Sequence, residues 1–329
     1  MSDLPVRDVP GRDRRRHVVA AHEVVLVAIL VLAVVVLAAI SKPFFTLDNL
    51  LNQGRFMTEV GLIALPMTFV IITGGIDLSV GSTLGLCAIV LGYSWKSFGF
   101  PLELAIPFAV LVGGVAGFVN GWFITRFKVP PLIMTISTLA LYRGFAEGIS
   151  QAHSVRGYPE WFYGLGQGEA LGVPSQLWLL VVAIVVFGVI LARTTFGRAL
   201  YAIGHNETAA RFSGIPVDRI KLAIYTASGI MAGLAAWIFV SRVSTTRSDM
   251  GIGIELDVIA AVVLGGTSIF GGIGTIAGTV LGLLLIQLLK DGLALTGVKG
   301  DATIVVIGTV LILSILLTNF AQRRRETSR

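Results

Sequence analysis

Charge is scarce in this 329-residue chain: only 13% of its residues are Asp, Glu, Lys or Arg, about half the level of a soluble domain. A sphere of this length has too little polar surface to face water, which excludes a soluble globule. Cysteine is nearly absent as well. The single Cys87 lies in an apolar run and reads as a small core residue, so there is no disulfide framework and no cysteine metal site. Four histidines, His17, His22, His153 and His205, form no pair at metal-ligand spacing, and none stands beside a serine or carboxylate motif of a catalytic set. No lysine follows a glycine, so the phosphate-cradling P-loop is missing. The sequence calls for neither metal nor cofactor, and any ATP that drives it is bound by another chain.

Apolar residues make up 55% of the chain, with a mean hydropathy of +0.86. They fall into runs of bilayer-crossing length: Val24–Ile40, Phe56–Thr73, Val80–Trp95, Leu102–Ile124, Pro130–Ile149, Gln176–Ala192, Leu222–Ser241, Glu255–Phe270, Ile273–Lys290 and Ala302–Thr318. The reading is an all-α polytopic membrane protein of about ten transmembrane helices. One transmembrane unit, 24–318, lies between basic tails at 1–23 and 319–329. Spans three and eight are short and flanked by glycine, so they read as broken or re-entrant helices. A basic segment before the first span also resembles a signal peptide, but the run is long and nine spans follow it, which favours a retained helix.

An even number of spans puts both termini on one face. With that face cytoplasmic, segments 1–23, 125–129, 193–221 and 319–329 hold sixteen of the 25 lysines and arginines, as the positive-inside rule requires. The net charge of +6 is then topological anchoring beside anionic headgroups, with no nucleic acid needed to explain it. Few ionisable residues fall in mid-span: Glu59, Glu103, Arg143, Glu147, Glu255, Asp257, Lys290 and Asp301 lie near span ends, leaving Asp77 as the candidate coupling group.

Glycine is plentiful, 39 residues, and sits inside the apolar runs. Gly113, Gly117 and Gly121 in span four and Gly274, Gly278 and Gly282 in span nine form stripes spaced for close helix packing. Their matching places suggest two five-helix repeats. Two further glycine-rich stretches interrupt the spans. In the first, Thr73, Gly74, Gly75, Asp77, Ser79 and Ser82 join spans two and three, with Asp77 placed either to cap the next helix or to line a solute path, roles that are compatible. In the second, Gly265–Gly274, Thr267 and Ser268 offer hydroxyls without charge, which suits a neutral solute or a plain tight turn equally.

Residues 193–221 are too long for a simple connector. Asn206 caps a helix over Glu207–Phe212, and Gly214 followed by Pro216 stops it, giving a docking element or an ordinary surface helix.

Three strings, ITGGIDLSVGS at 72–82, FGRALYAIGHNETAARFSGIPV at 196–217 and AVVLGGTSIFGGIGTIAGT at 261–279, resemble the permease subunits of bacterial ribose-type sugar ABC importers. Within that group, residues 63–92 and TTRSDMG at 245–251 are most similar to autoinducer-2 and rhamnose-type permeases. The resemblance implies a channel subunit without catalytic residues in the bacterial inner membrane. It implies as partners a cytoplasmic ATPase, a periplasmic or lipid-anchored solute-binding protein and a second permease subunit. On this chain it implies ATPase coupling through Arg198, Asn206, Glu207, Ala209, Ala210 and Gly214. The family's Glu-Ala-Ala pattern here reads Glu207-Thr208-Ala209-Ala210. The binding protein would meet chiefly Ser150–Ser175, with its aromatics Tyr158, Trp161, Phe162 and Tyr163, which suit an interfacial belt equally, and Arg242–Ile254. A self-sufficient secondary carrier is the alternative, and a membrane-embedded enzyme a more distant one.

Overall fold

A computed structural model describes residues 12–298 and isolated positions between 302 and 312. Helix α1 covers Arg12–Ile40, α2 Leu47–Ile72, α3 Val80–Lys96, α4 Leu102–Arg126 and α5 Pro131–Ser150. A cap of β1 Val155–Arg156, α6 Glu160–Gly166, β2 Glu169–Ala170 and β3 Val173–Pro174 leads into α7 Ser175–Arg193. Then come α8 Thr195–His205, α9 Glu207–Phe212, α10 Val217–Val243, β4 Thr245–Thr246, α11 Ile254–Leu264 and α12 Ile276–Leu295. The end carrying α8 and α9 is called the loop end below, and the end carrying the strands the hairpin end.

Six of the described helices are long and apolar enough to cross a membrane: Glu23–Ile40 of α1, α2, α4, α7, α10 and α12. The ten-span reading needs two revisions. Span eight is only the 11-residue α11, about 16 Å long and half the thickness of a hydrocarbon core. Its apolar run continues past Leu264, but the paired glycines 265 and 266 end the helix, Gly266 with φ of 87°. Gly274 lies outside α12, ahead of its cap Thr275, whose hydroxyl accepts the Gly278 amide at 2.9 Å. The tenth span, Ala302–Thr318, apart from those isolated positions, the first residues of the N-terminal tail and the whole C-terminal tail lie outside the described residues.

Helix α2 is central, with every residue from Leu62 to Ile72 buried and α7, α10, α11 and α12 around it. Elsewhere glycine decides the packing. Between α4 and α10, Gly113 meets the Gly229 carbonyl, Gly117 the Tyr225 carbonyl and Gly121 the Leu222 backbone, so a β-carbon at Gly117 would land on main chain. Without a hydrophobic force between helices in lipid, such backbone proximity supplies the dispersion contacts that hold them. Gly278 and Gly282 pack in the same way on Gly265 and Ala261 of α11. The outward side chains of α1 and α7 form continuous apolar faces, including Val24, Leu32, Val182 and Val189, of the kind lipid covers.

At the hairpin end, β1 pairs antiparallel with β4, Val155 opposite Thr246. Tyr158 and Phe162 turn inward here, stacking with Trp95 in a Trp95–Tyr158–Phe162 column with ring spacings of 4.6 and 4.7 Å. They therefore hold the cap to α3 and are not surface docking residues; Trp161 is the exposed one. Residues 244–253 do not arch outward either. They descend along α3, with Thr246 against Gly92, the Met250 carbonyl against Gly85 and Gly251 against Gly81, because those glycines leave a groove that admits a backbone.

Replacing Gly117 by Ile overpacks the α4–α10 seam and is expected to cost about 1–3 kcal/mol. Thermal unfolding in detergent should show a clear drop for Gly117→Ile and none for Gly188→Ala, whose β-carbon meets open space.

Candidate functional site

The break after α2 closes into a polar knot. Asp77 is 2% exposed; its Oδ1 accepts the Ser79 amide at 3.1 Å and the Ser79 hydroxyl at 2.6 Å, and its Oδ2 accepts the Ser228 hydroxyl of α10 at 2.9 Å. Asn120 of α4 donates to Ser79 Oγ at 2.8 Å, and Thr135 of α5 donates to the Ile76 carbonyl at 3.1 Å. Asp77 accepts the Ser79 amide as the capping role requires, although Ser79 itself occupies the N-cap position of α3. Asn120, Ser228 and Tyr225 complete this knot and were not singled out from sequence. The Tyr225 hydroxyl is buried against Gly75 with no hydrogen-bond partner among the described residues.

The remaining residues of the two breaks separate into buried and surface positions. Thr73 bonds back to the Val70 carbonyl, Ser82 to the Ser79 carbonyl, and Gly74 is exposed with φ of 78°. In the second break Thr267 is buried with its hydroxyl unpartnered among the described residues, while the Ser268 hydroxyl accepts the Phe270 amide at 3.3 Å. The breaks meet at the loop end, where the Gly272 amide donates to the Ile72 carbonyl at 2.8 Å.

Helix α8 is wedged onto that junction. Gly204 abuts both the Ile72 carbonyl and Gly272, and the Tyr201 hydroxyl donates to the Gly274 carbonyl at 2.7 Å. Helix α9 follows with its expected cap, Asn206 Oδ1 accepting the Ala209 amide at 2.9 Å, and it ends before Gly214 at φ of 81°. Ala210 is buried beneath α9; Ala209 and Arg198 are exposed. Phe212, read from sequence only as the last residue of the helix, is 89% exposed at the end of α9.

Ion pairs hold α9 in place. Glu207 pairs with Arg211 at 2.7 Å and Lys221 at 2.5 Å; Arg211 also reaches Asp218 at 2.6 Å, and Lys128 from the α4–α5 connection joins Asp218 at 2.9 Å. The Arg211 hydrogen bond holds the Asp218 carboxyl down to about 2. Burial pushes the Glu207 carboxyl up, but the Lys221 and Arg211 hydrogen bonds outweigh it and the net displacement is downward.

Charge at membrane depth is richer than the span assignment implied, because the descending 244–253 segment carries it inward. Arg143 of α5 donates to the carbonyls of Ser248 at 2.5 Å and Met250 at 2.9 Å, beside the first turn of α3. Glu255, Glu147 and Asp249 surround it. A second group pairs Glu59 with Arg242 at 2.7 Å and Asp257 with Lys290 at 2.5 Å. The first turn of α11, with Glu255 and Asp257, joins the two groups. Among the described residues no cluster of His, Cys, Asp or Glu is arranged to hold a metal ion.

Two predictions follow from this geometry. Asp77→Asn keeps the Oδ1 acceptor and leaves the Ser228 hydroxyl a partner, so folding should persist; Asp77→Ala strands buried hydroxyls and should lower stability by about 1–3 kcal/mol, read from thermal unfolding in detergent. A carboxylate held low in the folded state contributes stability above its ordinary range and loses it as pH falls through the folded value. Amide exchange over 207–212, corrected for its intrinsic rate, should therefore be flat from about pH 8 to 5 and rise only below about pH 4, toward the Asp218 value.

Residues 49–315 match the family described as branched-chain amino acid transport system / permease component. The autoinducer 2 import system permease protein LsrD of Yersinia enterocolitica is 38% identical over 284 residues, covering 82% of this chain and 86% of that protein. The protein of the same name from Escherichia coli K12 is 36% identical over 294 residues, covering 88% and 89%. With most of its length matched and its helices of bilayer-crossing length, the chain belongs to this family of integral membrane transport permeases.

Proposed function

We propose that the chain is the channel-forming subunit of an ATP-driven importer for a small sugar-like solute of the ribose, rhamnose or autoinducer-2 class. A separate cytoplasmic ATPase powers it and a solute-binding protein at the hairpin end feeds it. The observation that carries this reading is the α8–α9 unit. It is locked by ion pairs, it presents Phe212 to solvent, and it is bonded through Tyr201 to the junction of both helix breaks. A partner that grips α9 thereby pulls on the transmembrane breaks, so ATP-driven motion outside this chain reaches its interior.

On this reading the loop end is cytoplasmic, with both termini, and residues 193–221 form the coupling loop of the 24–318 transmembrane domain. Support comes from Arg126, Lys128, Arg193, Arg198, Arg211, Arg219 and Lys221, which all stand at that end. Two five-helix halves are part of the proposal: α3 packs on α4 as α11 packs on α12, and α10 meets α3 as α2 meets α11. A second permease subunit covers α5, which packs on α3 and α4 and otherwise leaves Ser137, Gly144 and Glu147 open, side chains ill suited to lipid. The path residues proposed are Thr73, Gly74, Gly75, Asp77, Ser79, Ser82, Thr267 and Ser268.

One observation favours a secondary carrier instead. Arg143, Glu147, Glu255 and Asp249 form the kind of intramembrane charge cluster that ion-driven carriers use. Reconstitution decides. Proteoliposomes holding this chain with the ATPase, a second permease and the binding protein should take up labelled ribose, rhamnose or autoinducer-2 only with ATP. Uptake by this chain alone on a proton or sodium gradient would sink the importer reading. Phe212→Ser should weaken ATPase association about 30-fold, the loss of one interface anchor of about 2 kcal/mol, while membrane insertion is unchanged.

A further inference from the structure

Between α2, α10, α11 and α12, in the half of the molecule nearer the hairpin end, lies a cavity of about 230 Å³. Its wall brings together Phe56 and Glu59 of α2, Phe239 and Arg242 of α10, and Gln287 and Lys290 of α12. The Arg242 guanidinium lies over both rings, 4.7 Å from the centre of Phe56 and 5.1 Å from that of Phe239, and its Nε donates to Glu59 at 2.7 Å. Lys290 reaches Asp257 at 2.5 Å. The terminal nitrogens of Arg242 and the amide of Gln287 have no hydrogen-bond partner among the described residues.

Three charged side chains on one wall, Glu59, Arg242 and Lys290, with Asp257 behind Lys290, are not a lipid-facing arrangement, since hydrocarbon contact penalises each of them by several kcal/mol. Packing alone does not account for them either, because a buried ion pair is no better for stability than apolar residues of equal volume. The lining charges sum to +1, and the Asp257 carboxylate paired with Lys290 behind the wall offsets that excess, so the cavity offers little net attraction to an ion. What it offers is unused planar donors and acceptors beside two aromatic faces. That is the chemistry that recognises a polyol: hydroxyls on guanidinium, amide and carboxylate groups, and C–H faces against the rings. At roughly 30 Å³ per water, the volume holds about eight waters or a solute of roughly eight to ten non-hydrogen atoms.

We propose that this cavity is a low-affinity binding site for a small neutral polyol, within a single subunit and separate from the polar knot around Asp77. The proposal rests on the permease reading for its source of solute, but binding here requires neither ATP nor a partner.

The test is cysteine protection. Gln287→Cys in a Cys87→Ala background, reconstituted in lipid, is treated with a membrane-impermeant maleimide, with and without ribose, rhamnose or autoinducer-2. For a dissociation constant of roughly 1 mM, solute at about ten times that concentration should slow labelling about tenfold. Equimolar glycine betaine should not slow it, and Leu171→Cys, fully exposed at the hairpin end, should label at one rate throughout. Val60→Cys on the facing wall supplies the same readout should Gln287→Cys fold poorly. Labelling that none of the three solutes slows overturns the site, as does labelling only by a lipid-soluble maleimide, which would make the cavity a lipid groove. Protection together with failed ATP-dependent uptake would remove the importer reading and leave the site; uptake without protection would do the reverse.

Discussion

The seam between α4 and α10 fixes the interior. Because Gly113, Gly117 and Gly229 bring two backbones into contact, Asn120, one turn beyond Gly117, and Ser228, next to Gly229, arrive on either side of the Asp77–Ser79 turn. A side chain at the seam would hold the helices apart and leave the Asp77 carboxylate without its second anchor. In water the loss would be repaired by solvent. In hydrocarbon it leaves stranded polar groups, so packing and hydrogen bonding here stand or fall together.

The same requirement governs the breaks. Backbone that leaves a helix inside a bilayer must find new partners, and Ile72, Gly272 and Gly274 find them in one another and in Tyr201. The two breaks thus satisfy one another, and α8 is tied to them through the Tyr201 bond to Gly274 and the close fit of Gly204 against Ile72 and Gly272. On the proposed importer reading, moving α8 would strain both discontinuities at once.

Features set by local chemistry were legible in the sequence. The start of α3 after Ser79 and the bounds of α9, with its Asn206 cap and Gly214 stop, follow from side chains within a few residues of each end. The glycines around 255–270 marked a short or broken span, which α11 is, but hydropathy carried the run on to Phe270 although the glycine pair ends the helix at Leu264. Asn120 and Ser228 carry no local signal; they meet Ser79 and Asp77 across 41 and 151 residues of chain. Arg143 and Glu255 looked like residues at span ends because nothing in 244–253 shows that it descends along the glycine groove of α3. Tyr158 and Phe162 have the composition of a docking surface, and only tertiary packing turns them inward onto Trp95.

The scarcity of charge takes on a different meaning once these positions are known. An isolated charge in hydrocarbon is costly, so a chain with few charges would be expected to leave them in its loops. This chain instead draws Arg143, Glu255, Glu59, Arg242, Asp257 and Lys290 inward, and it joins the last four in two balanced pairs at short range, Glu59 with Arg242 and Asp257 with Lys290. Balance removes the net field that would trap an ion, and pairing lowers the desolvation cost of each member. Hydrogen-bonding capacity remains around the cavity between α2, α10, α11 and α12. A neutral polyol exchanges its water for such groups at little cost in either direction, and a passage must release what it admits.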